Sequence, residues 1–251
     1  MAKASLPHWP PTSAEPKRAA MGREITLYGL AARVAEKASG RPAGERLLIG
    51  LAGPPGAGKS TCAEQLNELV NATGTCRSSV FQMDGFHYDD GILNARGLRA
   101  RKGAPETFDV AGFRHMLERL RRNEEPEIAV SIFDRSLEIS RAGARMVPQD
   151  ISVLIVEGNY VLLDQAPWSS LKSLFDVTVN IAVPEEELRQ RLYARWQGLG
   201  IPAAEIPAKV EANDLPNGVL VLAKSFDAEF IIRSCALIPT FGPPPQKEPW
   251  R

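Results

Sequence analysis

Two kinds of apolar pattern alternate along the chain. Some segments are short runs of consecutive apolar residues, of which 46–52 and 150–158 are the clearest, and others repeat an apolar residue every three or four positions. The runs predict buried strands, and the repeats predict amphipathic helices. Further strands are predicted at 78–83, 128–133, 176–183 and 228–233, and helices at 27–34, 62–70, 110–120, 168–175 and 184–200. Strands that alternate with helices indicate an α/β fold, with a parallel sheet of about five strands and helices on both faces.

A glycine-rich segment stands between the strand predicted at 46–52 and the next helix. Its nine residues match the pattern G-x-x-x-x-G-K-[ST] and are Gly53, Pro54, Pro55, Gly56, Ala57, Gly58, Lys59, Ser60 and Thr61. The glycines allow the backbone to approach a ligand closely, and the first N–H groups of the new helix point at the same volume. We therefore expect a polyphosphate site. Lys59, solvated before the nucleotide binds, would reach the β- and γ-phosphates, and the Ser60 hydroxyl would hold Mg²⁺.

Carboxylates follow two of the other predicted strands. Asp84 comes directly after 78–83, and Glu157 lies at the end of the buried run 150–158. Because ligands of open parallel sheets bind at the carboxyl ends of the strands, we expect both side chains beside the phosphate loop. A kinase needs one carboxylate near the acceptor hydroxyl and another near Mg²⁺. Asp84 is the predicted catalytic base, and Glu157 is the predicted partner of Mg²⁺ through a water molecule.

Other classes of phosphate-binding protein fit the rest of the chain less well. A GTPase would carry an Asn-Lys-x-Asp element to recognise guanine, and none occurs. Lys plus Arg equals Asp plus Glu at 30 each, so no overall field gathers nucleic acid or an anionic membrane. No apolar run approaches the roughly 18 residues of a membrane span, and the three cysteines lack metal-site spacing. These features favour a cytoplasmic small-molecule kinase without nucleic-acid or membrane partners, and they leave a homodimer open.

The helix predicted from Pro184 carries two arginines four residues apart. Arg191 and Arg195 project on one side of that helix, next to an apolar stripe. One interpretation is a mobile helical lid over about 189–215 that closes over ATP and supplies an arginine to the transferred phosphoryl group. The other is a set of surface ion pairs with carboxylates such as Glu187, which would contribute nothing to catalysis.

Several other polar positions keep two interpretations each. The basic loop 94–103 either faces a phosphate or substrate, or is simply solvated. Asp134 and Arg135 either clamp a substrate or form an internal ion pair. His87, three residues past the predicted base, is placed for a hydrogen bond to substrate. The segment 213–217 either lines an adenine pocket or simply begins a helix at Asn217.

Six segments taken together resemble a known family. They are the phosphate loop and residues 83–87, 101–109, 133–135, 156–160 and 214–217. The combination is similar to the P-loop nucleoside/nucleotide kinase group known in bacteria as fructose-transport-system kinases, within the superfamily of uridine kinase, phosphoribulokinase and pantothenate kinase. The similarity covers about residues 23–235. His87 departs from the uridine kinase pattern, which has a tyrosine in the corresponding element.

The resemblance implies a three-layer α/β/α P-loop NTPase fold and ATP- and Mg²⁺-dependent phosphorylation of a small-molecule hydroxyl. The acceptor would be a nucleoside, a sugar or a pantothenate-like compound. Within the matching segments, we expect Asp84, Phe86, His87, Lys102, Asp134, Arg135 and Asn159 to contact the acceptor, and the phosphate loop and Asn217 to contact ATP. The resemblance also implies an arginine-bearing lid after Pro184, through which Arg191 and Arg195 would reach ATP. An NTP-hydrolysing regulatory switch and a non-catalytic ATP-binding module stay open as alternatives.

Prolines near both ends of the chain predict tails around this domain. We expect a disordered N-terminal tail over 1–22, a kinase domain over 23–240 and a C-terminal tail over 241–251. The N-terminal segment lacks the apolar stretch of a secretory signal, although its basic character leaves an organelle-targeting segment open.

Overall fold

The computed structural model describes residues 22–42 and 44–233. The two predicted tails therefore lie outside the described residues except for Gly22, and so do the last residues of the predicted domain 23–240. Across the described ranges, no helix combines the length and the apolar character that a bilayer crossing requires.

Eight strands occur in the described part of the chain. In chain order they are β1 (Arg23–Glu24), β2 (Leu47–Ala52), β3 (Ser78–Gln82), β4 (Glu127–Asp134), β5 (Ile139–Pro148), β6 (Val153–Gly158), β7 (Val177–Ile181) and β8 (Phe230–Ile232). Six of them form a parallel sheet in the order β1-β8-β7-β2-β6-β3. This sheet has one strand more than the five or so expected. The additional strand is β1, whose two residues are too few to leave an apolar pattern in the sequence.

Seven α-helices occur in the same ranges. They are α1 (Leu27–Ser39), α2 (Lys59–Ala72), α3 (Asp90–Ala95), α4 (Val110–Arg122), α5 (Glu185–Gly198), α6 (Ile206–Lys209) and α7 (Leu215–Lys224). Four 3₁₀ turns cover Met83–Phe86, Arg99–Arg101, Pro105–Thr107 and Trp168–Leu174, and a π-helical turn over Val210–Asp214 separates α6 from α7. The helix predicted at 168–175 is thus a 3₁₀ helix.

Helix starts follow local capping chemistry. The Thr26 hydroxyl accepts the N–H of Gly29 at 3.1 Å where α1 begins, and Asp109 accepts the N–H of Gly112 at 2.9 Å where α4 begins. Such caps satisfy N–H groups that have no partner within the helix. At the start of α5, Pro184 precedes a first turn of three glutamates, whose charges are favourable at the positive end of the helix dipole.

The parallel sheet lies between two apolar layers. In β2, Leu48 belongs to the core formed with α4 and the 3₁₀ helix Trp168–Leu174, whereas Ile49 belongs to the core formed with α1 and α2. Strands covered on both faces are apolar at every position, and β2 and β6 are buried throughout. The prediction of helices on both faces is confirmed, and the fold has three layers.

One predicted strand lies outside this sheet. Residues 128–133 form β4 as expected, but β4 pairs antiparallel with β5 in a separate two-stranded sheet, which the sequence analysis did not predict. Only one side of this hairpin is covered, with Ile128 and Val147 buried, so β5 shows no strong apolar alternation. The hairpin rests on the turn after β3: a Cβ atom on Gly85 would lie 2.6 Å from the carbonyl oxygen of Ser131.

Helix α5 passes from the main core into a second, smaller one. Leu188, near its start, packs with the sheet, whereas Leu192 joins a cluster with Ile206, Val210 and Leu215. The segment predicted as a lid, 189–215, therefore has a small apolar core of its own. We use the term lid segment for these residues below.

Candidate active site

The phosphate loop joins β2 to α2 with a backbone that depends on two glycines. Gly56 and Gly58 have φ of 80° and 83°, in the left-handed region that side chains disfavour, and α2 begins at Lys59. The helix N-terminus therefore points into the space that the loop encloses, where an anion is favoured. A Cβ on Gly56 would lie 3.1 Å from Cγ of Leu192, so α5 packs directly on this loop.

Lys59 is less exposed than the sequence analysis expected. Its side chain is half-buried, and Nζ donates a hydrogen bond to the carbonyl oxygen of Pro54 at 3.0 Å. Burial lowers the pKa of Lys59, and the negative charges of Glu157 and Asp84 oppose that shift. The expectation of a solvated lysine is wrong, because the loop folds back over the ammonium group.

Glu157 lies in the middle of the site because β6 runs between β2 and β3. Its side chain is only 4% exposed. It accepts a hydrogen bond from the Ser60 hydroxyl at 2.8 Å and another from the Gln82 amide at 3.2 Å. Burial, and then the nearby charge of Asp84, raise the pKa of Glu157, while Lys59 opposes the rise. A carboxylate at the end of a strand could also simply lie on the surface, but this burial excludes that role for Glu157.

The donor set around Ser60 and Glu157 suits Mg²⁺ held mainly by phosphates and water. Within residues 22–42 and 44–233, no group of three or more His, Cys, Asp or Glu side chains could hold a metal ion by itself. Mg²⁺ in nucleotide sites is commonly bound by one or two protein oxygens together with substrate phosphates. The paired hydroxyl and carboxylate oxygens fit that arrangement.

Asp84 lies in the turn after β3 and meets the hairpin. One carboxylate oxygen is 3.2 Å from Nη2 of Arg135, which follows β4. Asp134 points elsewhere, because it pairs with Arg141 at 3.2 Å and accepts hydrogen bonds from Ser136. Asp134 and Arg135 thus each form an ion pair, but with other residues and not with each other, and of the two only Arg135 lines the cavity.

His87 is held among aromatic rings beside Asp84. Its ring centroid is 4.0 Å from that of Phe108 and 4.7 Å from that of Phe133. Nδ1 lies 2.8 Å from the carbonyl oxygen of Asp84, and that oxygen can only accept, so Nδ1 carries the proton. Burial lowers the pKa of His87, and the charge of Asp84 opposes this. The ring is therefore neutral at neutral pH, and Nε2 is an acceptor.

The basic loop lines the cavity through Arg99 and Lys102. Lys102 Nζ bonds Asp90 at 2.7 Å and the carbonyl oxygen of Glu138 at 2.5 Å, and it lies 5.4 Å from the centroid of the Phe133 ring. Its side chain is only 11% exposed. The interpretation of a solvated basic loop is wrong for Lys102, because these partners hold it against the site.

The two arginines of α5 also reach the cavity. Arg191 pairs with Glu187, as one interpretation expected, and its Nη1 also donates to the carbonyl oxygen of Ala57 at 3.4 Å. Arg195 lines the same cavity, where burial and the like charge of Arg135 lower its pKa. Both cations thus lie on the cavity wall, and Arg191 contacts the phosphate loop directly.

A cavity of about 760 Å³ collects most of the predicted site residues. Those along its wall are Pro55, Gly56, Gly58, Lys59, Ser60, Thr61, Asp84, His87, Lys102, Arg135, Glu157, Asn159, Arg191 and Arg195. Others do not reach it: Gly53, Pro54 and Ala57 are buried within the loop, Phe86 packs against the core, and Asn217 is buried and donates to Asn213.

Several residues of the wall were not singled out from the sequence. These are Phe108, Phe133, Glu138, Trp196 and Lys209, whereas Arg99 and Gly103 belong to the basic loop 94–103, and Asn213 and Asp214 to the segment 213–217. Some lie inside segments that carried the family resemblance, which was a usable signal. Glu138 gave none, because its position depends on the unpredicted hairpin, where it has a φ of 53° at the turn.

Residues 48–195 match the family model described as the phosphoribulokinase / uridine kinase family, which is more than half of the 251 residues. The chain belongs to this family. It is 35% identical to the protein YggC of Escherichia coli strain K12 over 188 residues, covering 74% of this chain and 77% of that protein.

Two further relatives carry kinase names. A provisionally named uridine kinase of Schizosaccharomyces pombe is 31% identical over 200 residues, covering 77% of this chain and 85% of that protein. The pantothenate kinase of Clavibacter michiganensis subsp. michiganensis is 28% identical over 187 residues, and the match spans only 58% of its length. These names support a phosphotransferase at the level of the family.

Solved structures agree with the fold. A crystal structure from Silicibacter sp. TM1040, provisionally named a fructose transport system kinase, superposes with a TM-score of 0.78 at 37% identity and covers 83% of this chain and 100% of its own. The family, the P-loop fold and the kinase character that the sequence resemblance implied are confirmed. The family leaves the acceptor unspecified.

Proposed function

We propose that this family member transfers the γ-phosphoryl group of ATP to a hydroxyl group of a small molecule, with Mg²⁺ as cofactor. The observation that carries the proposal is the convergence on one cavity of a phosphate loop, its lysine, a buried hydroxyl–carboxylate pair and a second carboxylate. The side chains are Lys59, Ser60, Glu157 and Asp84. Phosphoryl transfer is catalysed mainly by positioning and charge stabilisation, and this set supplies both.

The nucleotide half of the site is the phosphate loop with the two α5 arginines. Backbone N–H groups and Lys59 would hold the polyphosphate, while Ser60 directly, and Glu157 through water, would hold Mg²⁺. Held by these residues, Mg²⁺ would offset the negative charge of the phosphate groups. Arg191 and Arg195 would move onto the phosphoryl group as the lid segment closes, which also excludes water from the site.

The acceptor half is arranged around Asp84. The Arg135 guanidinium now occupies one oxygen of this carboxylate, and an acceptor hydroxyl would take over that position. Asp84 would orient the hydroxyl and receive its proton late in the transfer. The neutral His87 would accept a second hydroxyl at Nε2, and Lys102 and Asn159 would complete the acceptor contacts on the far side.

An acceptor screen tests the proposal. ATP consumption with Mg²⁺ should be measured with nucleosides, hexoses, pentoses, glycerate and pantothenate, and uridine and pantothenate come first because of the names of the relatives. We expect consumption that requires one acceptor class and forms its phosphate ester. The Lys59→Ala variant is the control for contaminating kinases.

The outcomes separate the proposal from its two alternatives. Slow ATP hydrolysis that no acceptor accelerates would indicate a regulatory switch instead. Tight ATP binding without any consumption, across the whole screen, would indicate a non-catalytic binding module. A phosphorylated acceptor identified by mass spectrometry would support the kinase.

A further inference from the structure

Asn213, on the π-helical turn of the lid segment, connects two parts of the site. Its side-chain Nδ2 donates to the carbonyl oxygen of Lys102 at 3.1 Å, and its Oδ1 accepts from Nδ2 of Asn217 at 3.2 Å. The NH₂ group of the amide therefore holds the loop that carries Lys102, and its oxygen is held by the start of α7. The segments it joins are more than one hundred residues apart in sequence.

The loop on the receiving side is residues 99–107, which we call the acceptor loop. Its centre is Gly103, whose φ of 99° only glycine adopts readily. The hydroxyl of Tyr160 donates to the Gly103 carbonyl oxygen at 2.7 Å, and the Thr107 hydroxyl accepts its N–H at 3.0 Å. Tyr160 and Thr107 thus fix one side of the loop to the core, and Asn213 holds the Lys102 side.

The start of α7 reaches the phosphate loop. Asn217 is only 3% exposed, and a Cβ on the neighbouring Gly218 would lie 3.4 Å from Cβ of Pro54 and 3.8 Å from Cδ of Pro55. A displacement of the phosphate loop therefore presses on the helix that positions Asn213. The contacts form a continuous path from the phosphate loop through α7 to the acceptor loop.

The same turn is tied to α5. Asp214, next to Asn213, accepts the indole N–H of Trp196 at 2.7 Å. The π-helical turn, Val210–Asp214, thus gives adjacent residues bonds to two different parts of the protein, and π turns inside helices are frequent at functional sites. Movement of α5 toward a bound nucleotide would shift Asn213 along with it.

On the basis of the proposed function, we propose that Asn213 is a positioning residue that couples nucleotide binding at the phosphate loop to the placement of the acceptor loop. It acts through the Lys102 carbonyl and touches neither the transferred phosphoryl group nor the acceptor. When the lid segment closes, the amide carries the backbone of Lys102 with it, so the acceptor half is completed only after the nucleotide is in place.

Amide hydrogen exchange tests this without knowledge of the acceptor. Exchange is measured by mass spectrometry on the full chain, with and without Mg²⁺ and a non-hydrolysable ATP analogue. In the parent protein we expect the analogue to slow exchange in 53–61 and also in 99–107, the second by about fivefold or more. Asn213→Ala and Asn213→Asp should keep the first response and lose the second.

The two variants and a control exclude a merely structural effect. Asn213→Asp keeps an oxygen for Asn217 but has no N–H for Lys102, so it separates the two hydrogen bonds. Glu205→Ala, an exposed substitution beside α6, should leave both responses intact. Protection of 53–61 reports whether the nucleotide is bound in each protein.

Two results would overturn the inference. One is an acceptor loop that does not respond to the analogue in the parent protein, and the other is a full loop response in both Asn213 variants. If the analogue leaves 53–61 unprotected in the parent protein, the nucleotide site itself fails, and the inference falls with the proposed function.

Discussion

Charged residues are buried at both ends of the parallel sheet, but their surroundings differ. At the amino end of β2, the guanidinium of Arg46 is fully buried and donates to the carbonyl oxygens of Ile151, Leu120 and Pro148 at 2.8, 3.0 and 2.7 Å. Burial lowers the pKa of Arg46 to about 10, and the charge of Asp150 opposes this. The partners of Arg46 are backbone atoms that the fold itself fixes in place.

At the carboxyl end, the partners can be exchanged. Lys59 bonds one carbonyl oxygen, and Asp84 pairs with the side chain of Arg135, which is 57% exposed. Both groups face the cavity, so a ligand can replace those partners without breaking the fold. Burial shifts the pKa of Arg46 at one end and those of Lys59 and Glu157 at the other. Such shifts mark a site only where a cavity adjoins them.

The largest effect should come from Asp84→Asn at the carboxyl end. We expect kcat to fall by about 10²- to 10⁴-fold with little change in ATP affinity, because the amide cannot take the proton of the acceptor hydroxyl. Steady-state kinetics and ATP-analogue titration measure the two quantities. Asp150→Asn, an exposed carboxylate at the opposite end, is the matched control. Loss of ATP binding with normal residual turnover would assign Asp84 to the metal instead.

Lys59→Ala should follow, with turnover reduced by about 10²- to 10³-fold or more. The ammonium stabilises charge that develops on the transferred group, in a site where burial strengthens the interaction. Lys224→Ala, an exposed lysine of α7, is the control. Because Lys59 is half-buried, melting temperature should be measured in parallel. Turnover within tenfold of the parent protein would contradict the assignment of the phosphate loop.

Arg46→Met tests the other end and should affect stability alone. It removes the donors of three buried carbonyl groups, at about 1–3 kcal/mol for each acceptor left without a donor. We expect the melting temperature to fall by about 6 °C or more, at 2–4 °C per kcal/mol for a chain of this size. Arg33→Met, on the exposed face of α1, should change little. If Arg46→Met also lowers kcat at temperatures well below its melting temperature, the amino end of the sheet affects catalysis as well as stability.

The α5 arginines test whether the lid segment contributes to transfer. We expect Arg191→Ala or Arg195→Ala to lower kcat about tenfold or more, the smaller effect of a cation that arrives on closure. Arg189→Ala is the matched control, since Arg189 lies on the same helix but pairs with Glu211 away from the cavity. Unchanged kcat in both Arg191 and Arg195 variants would leave only a surface ion-pair role.

The smallest effect concerns the stability cost of Glu157. Its pKa is raised in the folded protein, so the folded state keeps the proton after the unfolded chain has lost it. Stability from this group is therefore full below the ordinary value of 4.5 and is lost as pH rises through the folded pKa. Without Mg²⁺, Glu157→Gln should melt about 2–4 °C higher at neutral pH, or about 1 kcal/mol.

The difference in melting temperature should shrink toward pH 4.5. The variant should also need more Mg²⁺ for turnover, because an amide is a poorer partner for metal-bound water. Gln82→Ala, which removes the other hydrogen bond to Glu157 but keeps its charge, is the control. If Glu157→Gln is less stable than the parent protein at neutral pH, the predicted stability cost of Glu157 is refuted.

The sequence by itself determined the phosphate loop of the proposed nucleotide half. The phosphate loop is contiguous, and its strand, glycines and helix fix the local backbone without help from distant residues. The positions of Asp84 and Glu157 also followed from sequence, because the carboxyl ends of parallel strands meet at one edge. The register of β6 between β2 and β3 agrees with that inference.

Only the tertiary structure decided the acceptor half. The Asp84–Arg135 contact joins residues 51 positions apart, and Asn213 meets Lys102 across 111 positions. Neither contact leaves a periodic pattern in the sequence, because both depend on how the hairpin and the lid segment pack on the sheet. The burial of Lys59 could not be predicted from the sequence either. The loop pattern predicts a positive charge at this position, but the desolvation of that charge depends on the surfaces that enclose it.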